Sequence, residues 1–258
     1  MTSLAYAVRD SNTMLRRNLR HLLRYPSLTL MLAALPIIFM LLFVFVFGAT
    51  LGAGLGGTRA DYLDFVVPGI LMLTIGSGAT GVALSVATDM TEGIVARFRT
   101  MAIARVSILT GHVLGSIIQT FIGLALVLAV ALAIGYRPTA NPLAWLGFVA
   151  LAAVVTFAFT WLGVALGMVA KTVEEASNTP MPLTFLPFLG SGFVPTGTMP
   201  AGLRQFADYQ PFTPFMEAMR AALHGSAPAT HDLLWSLAWC TVIALGGYLW
   251  ARRSYNKL

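Results

Sequence analysis

Six stretches of this chain are long and apolar enough to cross a lipid bilayer, and none of the six contains an Asp, Glu, Lys or Arg. The hydrocarbon core is about 30 Å thick, so a helix needs about 20 apolar residues to span it. On that measure the spans fall at 27–47, 65–88, 106–134, 144–170, 176–194 and 233–250. The fold class that follows is an all-α integral membrane protein, a bundle of six transmembrane helices. Composition agrees: 57% of residues are apolar and 10% charged, against about 25% charged in an ordinary soluble domain. The first apolar run is too long, and starts too late, for a signal peptide, so it reads as a retained span. Residues 1–26 then form a cytoplasmic amphipathic segment and 27–258 the six-span transmembrane domain. The fifth span carries Pro180, Pro182 and Pro187, and a broken or re-entrant helix is expected there.

Six spans place both termini on one side, and the basic residues decide which. Arg9, Arg16, Arg17, Arg20, Arg24, Arg97, Arg99, Arg105, Lys171, Arg252, Arg253 and Lys257 share a side, against Arg59, Arg137, Arg204 and Arg220 on the other. The positive-inside rule makes the first side cytoplasmic. Blocks of Arg bordering apolar runs set topology, so the net charge of +6 does not point to nucleic acid. Abundant Ala, Gly and Arg with few Lys suits a high-GC bacterium, and the location expected is the bacterial plasma membrane with both termini cytoplasmic.

Charges inside a bilayer are kept mainly for ion pathways and proton relays. Their absence argues against an ion-coupled transporter or pump. His112 and Gln119, two turns apart, are the nearest polar groups, and His112 reads as an interhelical hydrogen-bond partner near the cytoplasmic boundary. A phosphate-binding loop needs glycines followed by Lys and Ser or Thr, but neither Lys171 nor Lys257 follows a glycine. Any energy must therefore come from another protein, and the cytoplasmic face should carry a docking element. An intramembrane enzyme would need convergent reactive groups at one depth, whereas His112, His224 and His231 are scattered. The single cysteine, Cys240, reads as a small buried hydrophobe.

Two segments fit a docking role. Between spans two and three, Ile94, Phe98 and Met101 recur at helical spacing while Glu92 and Arg99 share another face, which predicts a short amphipathic helix over 91–105. Its arginines serve either docking or topology. In the N-terminal segment Leu15, Leu19 and Leu22 form one stripe and Arg16, Arg20 and Arg24 another, as for a helix lying at the headgroups. Gly111 and Gly115, Gly163 and Gly167, and the run Gly76 to Gly81 permit close helix packing. On the opposite side of the membrane, Thr213 and Pro214 predict an N-cap and first turn, with Phe215, Met219 and Leu223 at helical spacing and Gly225 as a stop.

The layout of six spans, the cytoplasmic Glu92-Gly93 with Arg97, Arg99 and Arg105, and the late Phe193-Val194-Pro195, Met199-Pro200, Pro211-Phe212-Thr213-Pro214 and Ala218-Met219-Arg220 resemble the type-2 ABC exporter permeases, specifically the daunorubicin-resistance-like branch. The resemblance covers essentially the whole chain. It implies a separate ABC ATPase subunit that binds ATP and Mg, with no cofactor or metal on this chain and no catalytic residue. It also implies a second permease copy, as a homodimer or a sibling heterodimer, in contact with membrane lipids. Under it, Glu92, Gly93, Arg97, Phe98 and Arg99 lie in the coupling helix that meets the ATPase. Phe185, Phe188 and Phe193 are either walls of the substrate path or ordinary packing, and Pro195, Pro200, Phe212, Pro214 and Phe215 belong to re-entrant helices closing its extracytoplasmic end. The cargo implied is a hydrophobic small molecule, a drug or lipid-like compound. The alternatives are export of a lipid-linked glycan, or a membrane scaffold that moves nothing.

Overall fold

The computed structural model describes residues 26–93 and 105–257, together with Arg16, Arg20 and Arg24. Among these residues every regular element is helical. The chain enters through α1 (Pro26–Leu41), runs without a break into a π-helical turn (Leu42–Phe47) and continues as α2 (Gly48–Gly54). A turn at Gly56 leads to α3 (Arg59–Thr91). The Asp61 carboxylate caps its first turn, accepting from the Thr58 backbone N–H at 2.6 Å and the Thr58 hydroxyl at 2.7 Å. Helix α4 covers Arg105–Ala133 and α5 covers Pro142–Val169. Asn141 caps α5 by accepting from Ala144 N at 2.8 Å, and Pro142 occupies a first-turn position where its missing N–H costs nothing.

Between α5 and the last helix no long rod forms. Short α6 (Val173–Asn178) and α7 (Met181–Phe185) are followed by a 3-10 turn (Leu186–Leu189), and a second 3-10 turn (Thr196–Thr198) precedes α8 (Ala201–Tyr209) and α9 (Phe212–Leu223). Helix α10 (Thr230–Lys257) closes the chain. The stretch expected as span 176–194 is thus three short pieces, because Pro180, Pro182 and Pro187 each remove a backbone donor the helical ladder would need. Among the described residues, five helices are long and apolar enough to cross a membrane: Thr29–Gly54, Arg59–Thr91, Gly111–Ala133, Pro142–Val169 and Thr230–Tyr255.

Helix α3 is the centre. It packs against α1, α2, α4, α5, α6, α7 and α9, and 72% of its most apolar window is buried, against 17% for α10. Small residues explain how so many neighbours reach one helix. A Cβ on Gly163 would overlap the Ala79 carbonyl oxygen and one on Gly167 the Ala83 carbonyl oxygen, so α5 lies directly on the α3 backbone at two successive turns. Two turns back from Ala83 along α3, Gly76 admits the Leu183 carbonyl of α7. The expectation of tight packing at Gly76, Gly163 and Gly167 is met at these places. Arg16, Arg20 and Arg24 are helical and exposed, as one stripe of the expected N-terminal segment; Leu15, Leu19 and Leu22 lie outside the described residues.

Candidate functional site

At the end of α3 that leads into residues 94–104, Glu92 is exposed and follows the last helical turn, its N–H bonded to Thr88 O at 2.9 Å. Gly93 takes φ +70°, the left-handed conformation that ends a helix at low cost in glycine. The chain therefore turns sharply out of α3 where the docking element was expected to begin. Arg97, Phe98 and Arg99 lie outside the described residues.

One turn inside this end sits a buried polar cluster. His112 Nε2 on α4 is 3.1 Å from Asp89 Oδ2 on α3, and His112 Nδ1 is 3.5 Å from Ser85 Oγ. Asp89 and His112 are 8% and 7% exposed. The interhelical role expected for His112 is what the structure has; its partner was missed because α3 runs to Thr91, whereas hydropathy ended the span at 88. A pair this enclosed resists separation because losing either residue takes a hydrogen-bond partner from a buried polar group.

The other end carries an aromatic cluster. Phe188 stacks on Phe193 with ring centroids 4.2 Å apart, Phe43 lies 4.9 Å from Phe193, and Phe39 meets Phe188 edge-on at 5.3 Å. Phe185 stacks on Phe188 at 6.2 Å and is 44% exposed. The three phenylalanines singled out in the sequence therefore do converge, and the first span adds Phe39 and Phe43. Those two were missed because they sit among uniformly apolar neighbours. The π-helical turn at Leu42–Phe47 sets the direction of Phe43, and such turns recur at functional places in helices.

Of the residues assigned to the closing element, Pro195 and Pro200 precede the second 3-10 turn and α8. Phe212 and Phe215 are 1% and 0% exposed, both edge-on to Phe159 of α5. Helix α9 begins at Phe212, two residues before the first helical position expected at Pro214, so Pro214 is inside its first turn and buried. The Thr213 hydroxyl instead donates to Ala207 O at 2.5 Å, tying α9 to α8. The stop at Gly225 is present, with φ +71°. Helix α8 was expected only through the family resemblance, as one of the short helices after Pro195; Leu203 and Phe206 at i, i+3 after Pro200 were its signal in the sequence.

Arg220 holds this end together. Its Nη2 donates to Phe65 O at 3.1 Å and Ser191 O at 2.8 Å, its Nη1 pairs with Glu217 at 2.6 Å, and the guanidinium lies 4.2 Å from the Phe65 ring centroid. One side chain thus joins α3, the segment after the 3-10 turn, and α9. Nearby Tyr62 donates to Phe193 O at 3.2 Å. Burial, with the Asp64 charge adding to it and Arg220 opposing, holds the Tyr136 hydroxyl well above its ordinary range.

Four apolar rods around a glycine-faced fifth, with charged side chains near their ends among the described residues, define a polytopic helical membrane protein. Residues 10–224 match the family model described as ABC-2 type transporter, and the chain belongs to that family. It is 30% identical over 224 residues to the daunorubicin resistance ABC transporter permease protein DrrB1 of Streptomyces coeruleorubidus, covering 86% of this chain and 78% of that one. It is 22% identical to the probable doxorubicin resistance ABC transporter permease protein DrrC of Mycobacterium tuberculosis, covering 82% and 76%. It is 27% identical to the inner membrane transport permease YadH of Escherichia coli, covering 74% of each chain. The protein is therefore an integral membrane permease of an ABC transporter, the transmembrane subunit of a system whose ATPase is a separate subunit.

Proposed function

We propose that this permease exports a hydrophobic or amphipathic small molecule, such as a drug or lipid-like metabolite, from the cytoplasm or inner leaflet. Two copies, or one copy and a sibling, would pair with two ATPase subunits. The observation that carries the reading is the aromatic cluster of Phe39, Phe43, Phe185, Phe188 and Phe193, where a broken helix meets a π-turned one. Walls built of phenylalanine rings suit an apolar cargo better than a lipid-linked glycan, whose hydroxyls call for hydrogen-bonding walls. In this reading the chain crosses the membrane six times, residues 173–194 forming the broken fifth crossing. Both termini and residues 91–105 then face the cytoplasm under the positive-inside rule. Pro195, Pro200, Phe212, Pro214 and Phe215 belong to the element closing the far end. Of these, buried Phe212 and Phe215 anchor it to α5.

Coupling would run through Glu92, Gly93, Arg97, Phe98 and Arg99. ATP-driven closure of the ATPase pair pushes this segment and changes how the permease copies pack. The names of two relatives supply the first cargo to try, an anthracycline. Proteoliposomes holding the permease and its ATPase are expected to show ATP-dependent anthracycline efflux. Replacing Glu92 and Arg97 together with Ala should uncouple hydrolysis from efflux while leaving membrane insertion intact. Unchanged efflux in that variant would sink the coupling assignment.

A further inference from the structure

Helix α10 packs along α5 on one side and leaves most of its remaining surface open. The two helices begin side by side, where the Thr139 hydroxyl donates to His224 O at 2.9 Å, and are still in contact where Gly247 meets Trp161, so they run to the same opposite face. On the open side of α10, Val242, Leu245 and Leu249 are exposed at spacings of three and four residues, which puts them on one stripe. Arg252 and Arg253, also exposed, continue that stripe three and four residues after Leu249. From Val242 to Arg253 the helix advances about 16 Å, against about 15 Å for one leaflet's half of the hydrocarbon core. The stripe thus has the length of one acyl layer and turns to charge where a headgroup begins. At the face where α5 and α10 start, each described arginine engages its charge within the chain: Arg59 over the Phe45 ring, Arg137 on two carbonyls, Arg204 on Asp208 and Arg220 on Glu217. Arg252 and Arg253 have no hydrogen bond or ion pair among the described residues. Beyond α5, exposed Lys171 is followed by Glu174 and Glu175, so that corner is mixed in sign, whereas no Asp or Glu follows Asp232 in the sequence. A topological signal needs only the charges; it does not need an open apolar path one leaflet long leading to an adjacent pair.

We propose that this face of α10 binds an anionic phospholipid, its phosphate held by Arg252 and Arg253 and one acyl chain lying along Leu249, Leu245 and Val242. A guanidinium presents paired N–H donors that fit two oxygens of a phosphate. Phosphatidylcholine carries the same phosphate with a quaternary ammonium beside it, which two arginines repel, whereas phosphatidylglycerol brings negative charge alone. The site needs only that the chain lies in a membrane, so it stands or falls independently of coupled export and of the cargo.

The test places the full chain in nanodiscs of mixed dioleoylphosphatidylglycerol and dioleoylphosphatidylcholine, with bromine on the acyl chains of one lipid at a time. Trp250 is exposed two residues before Arg252, and the share of tryptophan quenching that Trp250→Phe removes reports the lipid at this end of α10. Phosphatidylglycerol is expected there about tenfold more often than its share of the bilayer, each basic residue beside an anionic lipid adding a few-fold. Arg252→Gln with Arg253→Gln should bring the preference to within about twofold of none, and Arg253→Gln alone, which decides the matter if the double variant fails to insert, should lower it about threefold. Arg16→Gln with Arg20→Gln removes the same charge elsewhere on the chain and should leave the preference as it was. No preference in the native chain, or an equal fall in the two double variants, overturns the site, the second result showing a diffuse surface potential only. An unchanged preference in the Arg252 and Arg253 variants overturns the lipid assignment, and loss of the co-purifying ATPase subunit alongside it would make the pair a protein-docking surface.

Discussion

Replacing Arg220 by leucine should loosen the α9 end of the bundle more than any comparable change on its surface. The loss can be assembled from its contacts. Two donated hydrogen bonds, to Phe65 O and Ser191 O, disappear. Leaving those carbonyls without the donor costs about 1 kcal/mol each, the low end because a carbonyl oxygen has a second lone pair. The guanidinium over Phe65 contributes about 1 to 2 kcal/mol in a dry setting. The ion pair to Glu217, whose side chain is 35% exposed, adds less than about 1 kcal/mol. The total, about 3 to 5 kcal/mol, agrees with the usual cost of removing one partner from a buried charged group. The chain carries its own reporter, since its single cysteine, Cys240, is 2% exposed. In a thermal ramp in detergent, a fluorogenic thiol dye reads the temperature at which Cys240 opens, and the variant should show it about 10 °C lower. Arg220→Lys keeps the charge but not the fork that reaches two carbonyls and a carboxylate together, so it should fall between. A native midpoint in both variants would refute the assignment of Arg220 as the tie among α3, the broken segment and α9.

The same dye serves the other changes. Gly167→Leu drives a side chain into the Ala83 carbonyl of α3, so overpacking of about 1 to 3 kcal/mol should lower the midpoint, while Gly246→Leu, where nothing lies within 4 Å, should not. His112→Leu removes a partner from buried Asp89 and should cost about 1 to 3 kcal/mol, with His112→Gln recovering part of it; equal midpoints for the two would argue against the hydrogen bond. Gly225→Val combines a positive φ with a Cβ 2.9 Å from the Thr139 carbonyl and should cost about 1 to 3 kcal/mol, seen as earlier protease cleavage near residue 225.

What was legible in the sequence is what lipid imposes on a chain. Five of the six apolar runs became long helices, their ends one to seven residues from those expected, because nothing else satisfies the backbone in hydrocarbon. The prolines of 176–194 announced the break. What hydropathy could not supply was direction around each helix: in a span apolar on every side, no periodicity separates the face toward protein from the face toward lipid. Phe39 and Phe43 therefore went unnoticed while Phe188 and Phe193, beside the break, did not. The same limit hid Asp89 and Arg220. Asp89 lies just beyond an apolar stretch and Arg220 in the segment between two of them, where a charged residue reads as surface until a neighbouring helix is seen to cover it.

The two buried polar clusters belong to one helix. From Phe65, which meets Arg220, to Asp89, which meets His112, α3 advances twenty-four residues, about 36 Å at 1.5 Å per residue. That distance brackets the roughly 30 Å hydrocarbon core, and the residues from 66 to 88 carry no charge, so the polar anchors stand at the two faces of the membrane and the stretch between them is apolar. Along this stretch α5 lies on the α3 backbone at Ala79 and Ala83, an approach with no side-chain layer in which sliding could occur. Helix α1 meets the broken segment differently, through rings that touch at their faces and edges. If the bundle repacks during transport, α3 and α5 are the frame and the ring contacts are where movement costs least, because rings can shift past one another while a glycine seated on a carbonyl cannot.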